Sequence, residues 1–140
     1  MNFYNIAACA IAVAVYALLC IQVLQRKVPQ NFATWILWAL LDSIAAASLI
    51  VQEGNFWIPV FYALGSGAIV FSVLKTKTAG KWTNFESMIV VLVVICIIAW
   101  ALSGPQMATI ASTTALAIAG IPQVMDVYKK PFESPLFVWI

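Results

Sequence analysis

The chain has 140 residues, of which 64% are hydrophobic and 9% charged, with a net charge of +2 and a mean hydropathy of +1.01. A soluble domain covers its surface with about 25% charged residues, so this composition excludes a water-soluble protein and implies an integral, multi-pass membrane protein seated in the lipid bilayer. There is no histidine, and Cys9, Cys20 and Cys96 stand apart in apolar runs; this argues against a metal, haem or other cofactor site and leaves the cysteines as small packing residues.

A bilayer crossing needs about 20 mostly apolar residues. Five runs qualify: Tyr4 to Gln25, Thr34 to Val51, Trp57 to Leu74, Phe85 to Leu102 and Met107 to Val127. A sixth opens at Pro135 and is unfinished at Ile140. The expected fold is an all-α membrane protein, residues 1–140 forming a single transmembrane domain of five complete helices plus the start of a sixth. The first charge, Arg26, comes after the first run, so that run reads as a helix rather than as a cleaved leader.

The connections are short and sort by charge. Gln52 to Asn55 and Ser103 to Gln106 are tight turns without a positive residue. The other loops carry all 7 lysines and arginines: Arg26 and Lys27, then Lys75, Lys77 and Lys81, then Lys129 and Lys130. The positive-inside rule makes that side cytoplasmic and puts the N-terminus outside, as expected in a bacterial inner or plasma membrane. Trp57, Trp82 and Trp100, near run ends, suit the aromatic belt of the interface.

Within the runs, Asp42 is the sharpest signal. It lies near the middle of the second run, where a carboxylate costs about 2.5–3.5 kcal/mol on insertion scales and therefore faces the protein interior. Trp38 and Trp35 precede it by four and seven residues and share its helix face. Such a wall of indole and carboxylate suits a polar solute or cation; the bland alternative is a neutral aspartate hydrogen-bonding between helices. Trp35 reads as an interfacial anchor.

The third run offers Tyr62 and Ser66 as cavity contacts, beside Gly65 and Gly67 as close-packing positions. On the fifth, Thr109, Thr113, Gly120 and Gln123 fall on one broad face. Hydroxyls at that spacing either line a pathway or bond across a helix interface. Pro122 removes a backbone donor and frees a carbonyl one turn back, which lipid does not satisfy; with Gly120 it shapes the helix end. Catalytic residues are not expected, since no cysteine–base pair or carboxylate cluster is present, and no nucleic-acid partner is expected.

Gln22-Val23 followed by Trp38 returns as Gln123-Val124 followed by Trp139, each pair closing a helix before a basic loop that contains a proline. Three helices (4–74), a connector (85–102) and the restart of the same pattern (107–140, incomplete) make a parallel repeat.

Pro122-Gln123, the basic loop after it and this layout resemble the PQ-loop and SWEET superfamily of small-solute transporters. The resemblance extends over the chain as layout and is motif-specific over about Gly120 to Leu136. It implies a 3+1+3 helix plan and alternating-access movement, facilitated or proton-linked, of a small polar metabolite such as a sugar, an amino acid or a nucleoside-like compound; the desolvated Asp42 suits reversible proton carriage. On this reading Asp42 and Trp38 wall a central site with Tyr62, Ser66, Thr109 and Thr113, while Gln22, Gly120, Pro122 and Gln123 mark the cytoplasmic gate. The first repeat departs from the pattern with Ile21-Gln22 in place of a Pro-Gln pair, and Pro29-Gln30 and Pro105-Gln106 read as loop punctuation. The competing reading is a non-transporting subunit that packs in or stabilises a larger membrane complex. A homo-oligomer stays open on either reading.

Overall fold

A computed structural model describes residues 3–28, 30–77 and 84–129, without the side chains of residues 86, 121–127 and 129. These residues form α1 (Phe3–Leu24), α2 (Phe32–Val51), α3 (Trp57–Thr76), α4 (Asn84–Ser103) and α5 (Pro105–Lys129), with no strand among them. The helix ends agree with the five apolar runs to within two residues. The reason is that lipid offers no partner for a free peptide group, so each long apolar run must satisfy its own backbone. α1, α2 and α3 are each long and apolar enough to cross a bilayer, and α4 adds the shorter apolar segment Ser87–Ser103. The sixth run, Lys81, Trp82 and Lys130 lie outside the described residues.

Local chemistry fixes the turns. Asn31 caps α2, its Oδ1 accepting from the Ala33 amide at 3.0 Å. α1 and α2 close the same way. Arg26 takes φ 56°, with Arg26 N–H bonded to Val23 O at 2.9 Å and Lys27 N–H to Gln22 O at 3.0 Å. Glu53 repeats this at φ 56°, with Glu53 N–H on Ile50 O at 3.1 Å and Gly54 N–H on Leu49 O at 2.8 Å. Both are left-handed helix stops of the Schellman type. Between α4 and α5 stands Gly104 alone, at φ 81°. Glycine suits that conformation because it has no Cβ, and Pro105 then opens α5 where no amide donor is needed.

α3 packs between α1 and α2, α2 packs also on α4 and α5, and α4 packs on α5. α2 is therefore the helix between two cores. On one flank Trp35 meets Leu19 and Val23 of α1 and Ile69 and Val73 of α3. On the other, Leu37 and Leu41 meet Ile89, Val93 and Cys96 of α4 and Ala115 and Ala119 of α5. α5 turns a stripe of small buried residues toward its neighbours, Ala108, Ser112, Ala115 and Ala119, which lets helix backbones approach closely. The helix continues through Gly120 and Pro122 to Lys129, beyond the Val127 end read from the sequence.

Candidate functional site: a polar, aromatic centre in the first three helices

The polar centre grows from one face of each of the first three helices. On α1, Cys9, Ala12, Leu19 and Val23 are buried at helical spacing, with Tyr16 half-buried among them. On α3 the buried stripe is Gly65, Ser66, Ile69, Ser72, Val73 and Thr76. On α2, Trp35, Trp38, Asp42, Ala45 and Ala46 recur every three or four residues and so share a face. Leu37, Leu41 and Ser48 belong to its other flank.

Tyr16 stands at the middle of this centre. Its ring packs edge-on to Trp35 at 6.2 Å and tilted to Tyr62 at 6.1 Å, and its hydroxyl lies 3.5 Å from the Ser66 hydroxyl. The ring fits because position 65 is glycine: a Cβ there would overlap the Tyr16 ring atoms. Trp35 in turn meets Trp38 edge-on at 5.2 Å and donates from Nε1 to Gln30 Oε1 at 2.7 Å. Four aromatic rings from three helices thus run in contact.

Three polar groups in this region have no partner among the described residues. Asp42 is 4% exposed and receives no hydrogen bond or ion pair from the described residues; it lies within electrostatic reach of Tyr16. The Trp38 indole N–H and the Gln22 side-chain carbonyl are buried and unbonded. A buried polar group without a partner costs about 1–3 kcal/mol, so a native fold keeps few of them and each asks for a reason. Asp42 is ten residues, about 15 Å, into α2. Gln22 lies in the last turn of α1, next to the basic loop.

The residues proposed from the sequence separate into two groups. Asp42, Trp38, Tyr62, Ser66 and Gln22 all belong to the three-helix unit. Ser66 is fully buried there, and Tyr62 is 41% exposed at its edge. Thr109 is elsewhere, at the opposite end of α2. Its Oγ1 lies 2.8 Å from Ser48 Oγ, accepts from Gln52 Nε2 at 2.8 Å and donates to Pro105 O at 3.1 Å, and Gln52 Nε2 also reaches Ser48 O at 2.9 Å. This is a clasp between α2 and α5. Thr113 is exposed.

Between α2 and α5 the space is filled by Leu37, Leu41, Ala115 and Ala119, so the Asp42 face and the hydroxyls of α5 do not meet across a shared chamber. A Cβ on Gly120 would meet nothing within 4 Å, so close packing does not require this glycine. The side chains of Pro122 and Gln123 lie outside the described residues.

Two aromatic residues take roles that spacing alone does not give. Trp35 is 3% exposed and interior, where an interfacial anchor was expected. Tyr16 was not among the sequence candidates; the available signal was its hydroxyl, set in an apolar stretch between Asn5 and Gln22. Comparison of the chain with family models, with curated proteins and with solved structures finds no match in any of the three.

Proposed function

We propose that this chain is a PQ-loop/SWEET-like carrier for a small polar solute, and that its solute-binding centre lies within the first three helices. The observation that carries the reading is Asp42, a buried carboxylate with no partner among the described residues, on an aromatic face of an apolar helix. A carboxylate used only to glue helices would have a hydrogen-bond donor against it; this one is left for something that comes and goes. Ionisable residues inside membrane bundles mark solute and ion pathways. On this reading five helices cross the bilayer, in the 3+1+3 plan, with the basic loops cytoplasmic.

Gln22 stands at the cytoplasmic mouth of the centre. Gly120, with open space where a Cβ would go, and Pro122 form the matching flexible point of α5, together with Gln123. The Ser48–Thr109–Gln52 clasp closes the bundle at the outer end. Alternating access then consists of opening one end while the other is bonded.

The test is solute exchange by the full chain in proteoliposomes, with Asp42→Asn as the comparison. Exchange that survives Asp42→Asn undiminished would remove Asp42 from the mechanism. One observation favours the competing reading, a packing subunit of a larger assembly: the aliphatic filling between α2, α4 and α5 gives a solute no room on that flank. Co-purification at fixed stoichiometry, with no exchange of any solute, would support it.

A further inference from the structure

We propose that the centre between α1, α2 and α3 selects a small organic cation, an ammonium group carried next to a hydroxyl. The inference rests on the carrier reading for its site and names the solute class that the site recognises.

Charge comes first. Among the described residues no charged group pairs with Asp42 and none donates a hydrogen bond to it. The described positive residues of the chain stand in loops or at helix ends, Arg26 and Lys27 after α1, Lys75 and Lys77 closing α3, and Lys129 ending α5. The described residues thus present a buried carboxylate, with the described cations in loops and at helix ends. A solute that brings a positive charge supplies what is missing; a neutral sugar does not.

The rings agree with this. Tyr16, Tyr62, Trp35 and Trp38 form a chain of contacts at 5.2–6.2 Å between centroids, on the same faces that bury Asp42. Aromatic faces attract ammonium and quaternary ammonium groups, more strongly where water is excluded. A sugar-binding wall uses aromatic faces too; what sets this one apart is that the four rings accompany Asp42, the one acidic residue of α1, α2 and α3.

The two other unpartnered atoms specify the second half of the solute. The Trp38 N–H needs an acceptor and the Gln22 carbonyl needs a donor. A hydroxyl serves as both. Trp38 packs on both cores, including the one that holds Leu19 and Val23, and Gln22 belongs to the same last turn of α1 as Val23.

The experiment uses the full chain in proteoliposomes and two probes, choline and glucose. Binding is read from the intrinsic tryptophan fluorescence, and transport from counterflow of the labelled probe. The expected result is saturable binding and counterflow of choline, with glucose inert. Asp42→Asn should weaken choline binding at least tenfold, and Trp38→Phe several-fold, since it keeps a ring face and loses the N–H. Gly67→Ala, at an exposed position where a Cβ meets nothing, serves as the reference variant, and an unchanged elution profile with a melting midpoint no lower than the parent's shows that each variant is folded. Glucose binding without choline binding, or binding of neither, would overturn the inference; the former with glucose counterflow leaves the carrier reading standing. Choline binding without counterflow supports the inference and removes the carrier reading.

Discussion

The ring of Tyr16 lies on the bare backbone of Gly65, where any Cβ would overlap its Cγ and Cδ atoms. This contact between α1 and α3 fixes where the Tyr16 hydroxyl sits, 3.5 Å from Ser66, and sets the ring against Trp35 and Tyr62. Gly65→Ala must displace the ring. Overpacking of this kind costs about 1–3 kcal/mol, so the melting midpoint in detergent should fall and the tryptophan emission should change. Gly67→Ala, two residues on, meets open space and gains helix propensity of up to about 1 kcal/mol; its midpoint should hold or rise. Equal effects at the two positions would mean that Tyr16 does not rest on Gly65.

Asp42→Asn should separate stability from function. A neutral amide of the same shape costs less to bury than an unpaired carboxylate, so the midpoint should stay level or rise, by up to about 1 kcal/mol equivalent, while solute exchange falls at least tenfold. Sites kept for function often hold strain that a substitution relieves. A clear loss of stability would show instead that the carboxylate anchors the fold.

The two neighbouring tryptophans should respond in opposite ways to loss of the indole N–H. In Trp35 that group donates to Gln30 at 2.7 Å, and Trp35→Phe should cost about 1 kcal/mol or more, since the amide of Gln30 then lacks its donor. In Trp38 the N–H is buried and unbonded, so Trp38→Phe should be close to neutral in thermal unfolding. Its effect should appear in solute binding.

The Ser48–Thr109–Gln52 clasp is open to direct test. Hydrogen bonds between membrane helices average about 0.6 kcal/mol, so Thr109→Val should lower stability only slightly. Ser48→Cys with Thr109→Cys should do more. The hydroxyl oxygens they replace lie 2.8 Å apart, close enough for a disulfide to form. In a background without Cys9, Cys20 and Cys96, oxidation should stop exchange and a reductant should restore it. Exchange through the locked pair would exclude the clasp as a gate.

The helices were legible in the sequence because their cause is one-dimensional: a run of about 20 apolar residues has to be helical in lipid. The inner face of each helix was much less so. In water the buried face is apolar and the outer face polar, whereas the exposed Ile97 and Ile98 and the core residue Ile89 of α4 are chemically alike, and periodicity has nothing to separate. The reading put Asp42 inward, where it is 4% exposed; of the polar residues read as lining a site, Ser66 is buried whereas Tyr62 and Thr113 are exposed. It failed where the deciding fact was a tertiary one. Nothing in Gly65-Ser66-Gly67 says that one glycine receives a tyrosine ring and the other faces outward. Likewise the spacing of Thr109 and Asp42 does not reveal that they address opposite flanks of α2.

That placement of α2 has a consequence for how the bundle tolerates change. A substitution on α1 or α4 is felt by one group of neighbours, whereas α2 answers to two, through Trp35 on one flank and Leu37 and Leu41 on the other, with Trp38 packed against both. Any sliding of the α1–α3 pair against α4 and α5 must use this single rod as its bearing surface, and a groove worn on either flank shifts the other. Saturation mutagenesis should therefore find α2 the least forgiving helix around its whole circumference, and a ligand that stiffens its Asp42 flank should be felt at Thr109, with no covalent or charged link between them.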